Sequence, residues 1–166
     1  MAPTTYTPPI NTYVPLESIV LTNAASSVTF FNIAQSDANG TYKDLVLVFA
    51  GTTSASIGIL STYNGDTSNQ SRVFMYAPPG TSGTASDNEV IYAYTSQSVC
   101  TMQILDYSAT DKHKTILARS DNAAVITMAT AQRWASTSAI SSIALTPKSG
   151  NTFGAGSTFS LYALHG

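Results

Sequence analysis

The sequence predicts an all-β fold: a single-domain, jelly-roll-like β-sandwich with an extended N-terminal arm. Three observations predict it. Apolar and polar residues alternate at period two through many short runs. Clusters of Gly, Asn, Asp, Ser and Pro interrupt those runs about every ten residues, the spacing of a sandwich or barrel. No segment keeps a helical period long enough to form a helix. The expected division is an arm over residues 1–15 and a sandwich domain over residues 16–166.

The arm carries Pro3, Pro8, Pro9 and Pro15 among threonines and tyrosines. Prolines this dense exclude helix and favour extended backbone. Tyr6, Pro8, Pro9, Ile10 and Tyr13 are its candidate docking residues. A frayed tail is the plainer alternative. Two tyrosines and an isoleucine argue instead for a segment that orders against a neighbour, with Tyr13 and Val14 lying along the body and setting its direction.

The strands follow in order. Glu17–Leu21 and Ser27–Phe31 flank Asn23–Ser26 and read as a hairpin. Asp37-Ala38-Asn39-Gly40 is a turn. Asp44–Phe49 is apolar on both faces and reads as a central strand covered on both sides. Ser56–Leu60, then the polar loop Tyr63–Asn69, then Arg72–Tyr76 come next. Pro78–Asp87 reads as a mobile loop rich in Gly, Ser and Thr. Glu89–Tyr94 and Val99–Leu105 read as the next strand pair. His113–Ala118, the alternating run from Ala123 to Ala129, and Ile140–Leu145 follow. The closing strand is Thr158–Leu164, with Phe159, Leu161 and Ala163 on one face and Thr158, Ser160 and Tyr162 on the other. The expected core includes Leu45, Leu47, Phe49, Ile104, Ile116, Ile143, Phe159 and Leu161.

Composition narrows function. Charged residues make up 10% of the 166, against roughly 25% in an average soluble protein. Disorder is excluded, because 43% of residues are hydrophobic and nine are tyrosines. The net charge of −2 comes without a basic stripe, so nucleic acid is not an expected partner. No apolar run reaches the roughly 18 residues of a membrane span, so no membrane partner is expected. The N-terminus lacks the charged and apolar regions of a secretory signal. The single cysteine, Cys100, sits in an apolar run and reads as a buried, inert thiol.

Catalytic chemistry is thin, and a non-enzyme is expected. The histidines are His113, at a solvated strand end, and His165. No cluster has metal-ligand spacing, and no cofactor is expected. Most aspartates sit among turn residues, although a spatial carboxylate pair for glycoside hydrolysis stays open. Asn64-Gly65-Asp66 is either a tight turn or a calcium-holding loop. Gly154-Ala155-Gly156 matches half of a dinucleotide fingerprint, but no helix follows it. Trp134 either packs on its own domain or stacks on a ligand ring.

The stretch Gly156-Ser157-Thr158-Phe159-Ser160-Leu161-Tyr162 resembles the closing motif of a family of small β-rich virion proteins of tailed bacteriophages. Asp44–Leu47, Asn64–Asp66, Lys114–Arg119, Trp134 and Ala139–Ile143 fall in the order that family shows. After Tyr162 the chain departs, with Ala163-Leu164-His165-Gly166 where the family has Gly and an aliphatic residue. The resemblance implies a structural role in the virion, on heads or in tail fibres, and transfers no catalytic residue. One domain and an arm, without shaft or anchor, suit a capsid decoration or cement protein. It would be a homotrimer, with the major capsid protein or other virion proteins as partners, on the capsid surface. The alternative is a tail fibre or receptor-binding module that grips host glycans with Tyr63, Asn64, Asn69 and Trp134. A glycan-cleaving enzyme is the third class.

Overall fold

The period-two pattern becomes two stacked antiparallel sheets. The computed structural model describes residues 12–77, 81–122 and 126–165. The strands among them are β1 (Tyr13–Val20), β2 (Val28–Phe30), β3 (Ser36–Asp37), β4 (Gly40–Gly51), β5 (Ile57–Tyr63), β6 (Gln70–Ala77), β7 (Thr81–Ala85), β8 (Glu89–Ala93), β9 (Ser98–Leu105), β10 (Lys114–Asn122), β11 (Ile126–Trp134), β12 (Ile143–Pro147) and β13 (Thr158–His165). The larger sheet runs β1-β13-β4-β9-β10-β11-β6-β7, with β3 appended to β4. The smaller runs β2-β12-β5-β8.

Burial follows from the stacking. In β4, Leu45, Leu47 and Phe49 are fully buried, while Val46 and Val48 between them are half-buried. The same alternation holds in β9, β10 and β13. The smaller sheet contributes Val28, Phe30, Ile59, Ile91, Ile143 and Leu145 to the facing layer. Phe49, Phe153 and Phe159 form a ring cluster with centroids 4.9–5.5 Å apart. All eight core residues expected from alternation are at most 1% exposed.

Several expectations are corrected. Glu17–Leu21 and Ser27–Phe31 do not pair as a hairpin. β1 pairs with β13, and β2 pairs with β12 in the other sheet. β8 and β9 are likewise in different sheets: β8 pairs with β5, and β9 lies between β4 and β10. The Gly/Ser/Thr stretch after Pro79 contains β7, paired with β6 along five residues. Gly83 makes this possible, because a Cβ there would stand 2.9 Å from the Phe74 ring. β4 is central, but only its inner face is fully covered.

β1 begins at Tyr13, inside the proline-rich segment. Pro15 fits because β1 is the sheet's edge strand, where a missing N–H breaks no ladder on the open side. A register shift follows between Pro15 and Glu17. Val14, Leu16 and Ile19 pack on the core, and Tyr13 is turned outward, 56% exposed.

Candidate interaction surface

The inner face of the larger sheet is spent on the core, so its outer face is the surface that strands β4, β9, β10, β11 and β6 present together. Register places its residues in rows. One row runs Tyr162, Val46, Gln103, Leu117, Ala131, Val73. The next runs Ser160, Val48, Thr101, Arg119, Ala129, Met75. Val73, Met75 and Leu117 are 55%, 61% and 45% exposed. A shallow groove of about 440 Å³ crosses these rows, lined by Tyr13, Val46, Val73, Met75, Leu117 and Ala131 among others. Arg119 is the one charged side chain among its described lining residues. Large side chains left this exposed side by side mark a contact surface more often than a monomer's solvent face.

Tyr13 joins this surface to the arm. Its ring meets Tyr162 edge-to-face, with centroids 6.4 Å apart and planes at 85°. The other expected docking residues, Tyr6, Pro8, Pro9 and Ile10, lie outside the described residues.

The four residues expected to grip a glycan do come together, but as a structural clasp. Asn64 and Gly65 have φ of 53° and 76°, both in the left-handed region that a type I′ turn requires. The Asn64 side chain then reaches the segment before β12. Its Oδ1 accepts from the N–H groups of Ser141 and Ser142 at 2.8 and 3.1 Å, and its Nδ2 donates to the Ala139 carbonyl at 2.8 Å. Asp66 Oδ2 accepts from Trp134 Nε1–H at 2.8 Å, and Asp66 Oδ1 from the Ser68 N–H and hydroxyl. Asn69 Nδ2 donates to Asp66 Oδ2 at 3.2 Å. The Trp134 indole N–H, with help from Ser68 and Asn69, holds the Asp66 carboxyl down at about 2. Tyr63 and Trp134 are 0% and 2% exposed, their ring centroids 5.6 Å apart, and Tyr63 donates its hydroxyl to Gln132 Oε1. Burial pushes the Tyr63 phenol well above its ordinary range. Tyr63 and Trp134 therefore offer no face to a sugar ring, which corrects the expected glycan site. Asn64 and Asn69 are exposed, but their amides serve the turn. The Asp66 oxygens are already engaged, and the described residues contain no group of three or more His, Cys, Asp and Glu placed for a metal.

Two polar features escaped the sequence reading. The first lines a second opening, between β6 and β8. Arg72 is 8% exposed; its Nε and Nη2 donate to the two Asp87 carboxylate oxygens at 2.6 and 3.2 Å. Its Nη1 lies 3.1 Å from Glu89 Oε1, and Lys148 Nζ donates to Glu89 Oε2 at 2.9 Å. The guanidinium sits 4.4 Å from the Phe74 ring centroid, and Tyr76, Tyr92 and Tyr94 complete the cleft. Period two placed Arg72, Phe74 and Tyr76 on one face; the ion-pair residues Asp87, Glu89 and Lys148 had no sequence signal. The second is Lys114, fully buried, with Nζ donating to the carbonyls of Lys112 and Thr137. Desolvation lowers its pKa.

Cys100 is 1% exposed, and burial pushes its thiol up to about 12. His113 is exposed at the start of β10's approach. Among the described residues no helix is long and apolar enough to cross a membrane. Comparison with family models, with curated proteins and with solved structures finds no match to this chain.

Proposed function

We propose that this chain is a non-enzymatic structural protein of a tailed-bacteriophage virion: a decoration or cement protein that sits as a homotrimer on the capsid surface, beside the major capsid protein. The observation that carries the reading is the outer face of the larger sheet, with Val73, Met75 and Leu117 exposed together and one charged side chain in the groove they line. Such a face is stable in water only at a cost and gains by being covered in an assembly. The proline-rich segment ahead of β1 supplies a docking arm, and the closing-motif resemblance supplies the setting.

A density map of particles that carry the protein tests this reading. Threefold density of this size on the head is the expected result. Absence from the particle, or a position on the tail, would overturn it. Deleting residues 2–12 spares β1, so the domain should fold and particle occupancy should fall.

A second reading, a tail module that recognises host glycans, draws on the cleft of Arg72, Tyr76, Tyr92 and Tyr94. Half-buried tyrosines beside an arginine suit sugar rings and hydroxyls. Glycan-array binding that is lost in Tyr94→Ala would favour it over the cement role.

A further inference from the structure

We propose that residues 1–11 of one copy lie in the outer-face groove of a neighbouring copy, with Tyr6 and Ile10 as the apolar anchors. The inference rests on the docking-arm reading above and names the surface that receives the arm.

The chemistry matches. Met1 to Asn11 contains no charged side chain and offers Tyr6, Ile10 and three prolines. The groove is apolar at Val46, Val73, Met75 and Leu117, with Thr101, Gln103 and Arg119 set among them. A basic segment would lose hydration there without a partner, and an acidic one would find only Arg119. This one loses little.

Direction selects the neighbour's groove. β1 runs antiparallel to β13, with Tyr13 opposite Leu164 and Val20 opposite Thr158. The groove rows pass through Tyr162 and Ser160, downstream of Tyr13 along β1. Continued upstream, the strand leaves the sheet beyond Leu164, away from its own groove. Reaching that groove would need a reversal of the chain. A neighbour placed on that side would receive the arm without one, and the Tyr13–Tyr162 contact holds the departure in place.

Length suffices. Eleven extended residues reach about 34 Å at about 3.1 Å each. The groove from β4 to β6 spans four strand spacings, about 19 Å. Prolines lower the entropy lost when the segment is fixed. An arm passed head-to-tail is a heterologous contact, and three copies close it into a ring.

The test replaces Tyr6 by the photoreactive p-benzoylphenylalanine. Unlabelled and heavy-isotope chains are refolded together in equal amounts, irradiated, and their linked peptides mapped by mass spectrometry. The expected links join position 6 to peptides containing Leu117 or Met75, with about half of them between the two isotopes. Links confined to one isotope, links to another surface, or no links would each overturn the proposal. In Leu117→Glu, with circular dichroism unchanged, the yield should fall about tenfold or more, since a hydrated carboxylate would replace the apolar side chain that the anchors pack on. An unchanged yield would also overturn it. No particle is present, so the two readings fail separately: linked chains that leave particles bare sink the virion role alone, and decorated particles without these links sink the groove alone.

Discussion

The two faces of the larger sheet are made from the same strands and differ in what they leave undone. Along β9, Val99 is 51% exposed while Cys100, the next residue, is 1% exposed. Along β4, Leu47 is fully buried and Val48 is not. Both faces are rich in aliphatic residues. The inner face is stabilised by the smaller sheet within one chain. The outer face has no such layer among the described residues, so its apolar area is available for association. An apolar residue on a strand therefore says that something covers it, and not whether the cover belongs to the same molecule.

The largest difference between the faces should be chemical. At neutral pH a thiol reagent should modify Val99→Cys on the order of a thousandfold faster than native Cys100, whose thiol burial holds at about 12. Comparable rates in the folded protein would mean that the core opens readily. Stability should separate the faces next. Leu47→Ala should lose about 2–5 kcal/mol in urea unfolding, as large-to-small core changes do. A loss below about 1 kcal/mol would show that Leu47 is not held by a packed layer.

Between these extremes sits the clasp at the sandwich end. Trp134→Phe keeps a ring beside Tyr63 but removes the N–H that Asp66 accepts, so it should cost about 1.5–3 kcal/mol. Its pH signature has a definite sign. The Asp66 carboxyl is depressed in the folded state, so its contribution is complete above an ordinary carboxyl pKa near 4. That contribution is lost as pH falls through about 2. Unfolding measured between pH 5 and 2 should show a shallower decline in Trp134→Phe than in the parent; parallel curves would break the assignment. The smallest effect belongs to the outer face: Leu117→Ala should change monomer stability by no more than about 0.5 kcal/mol. A larger loss would mean that the groove is a folding element and not a contact surface.

Alternation made one thing legible with little error, namely which side chains face inward in β4, β9, β10 and β13. It says nothing about which sheet a strand joins. Some consecutive strands pass to opposite sheets, as β1 and β2 or β8 and β9 do, and these looked like hairpins in sequence. β7 was illegible because its Gly, Ser and Thr carry no apolar signal, and what places it is its five-residue ladder with β6, where Gly83 leaves room for the Phe74 ring. Tyr63 reads as part of a polar loop and Trp134 leaves two readings open, of which packing on its own domain holds; neither burial was legible because their polar atoms find partners far along the chain. Trp134 bonds to Asp66, 68 positions away, and Tyr63 to Gln132, 69 away. The burial of Lys114 was illegible for the same reason, since nothing near it announces the carbonyl of Thr137.

The place of β13, between β1 and β4, has a consequence for biosynthesis. β1 has no other partner among the described strands, so residues 13–20 cannot enter the sheet until residues 158–165 have been made. At about 5–20 residues per second the ribosome needs roughly 7–28 s to cover that interval. Until then the nascent chain holds an unmatched edge on β4, a site at which another nascent chain can pair wrongly. The loop to be closed is most of the protein, which makes this a slow, late step of folding. The direction in which Tyr13 hands the chain onward is therefore fixed last, so a chain released before β13 is made lacks Phe159 and Leu161 from its core and has no oriented arm to offer a neighbour.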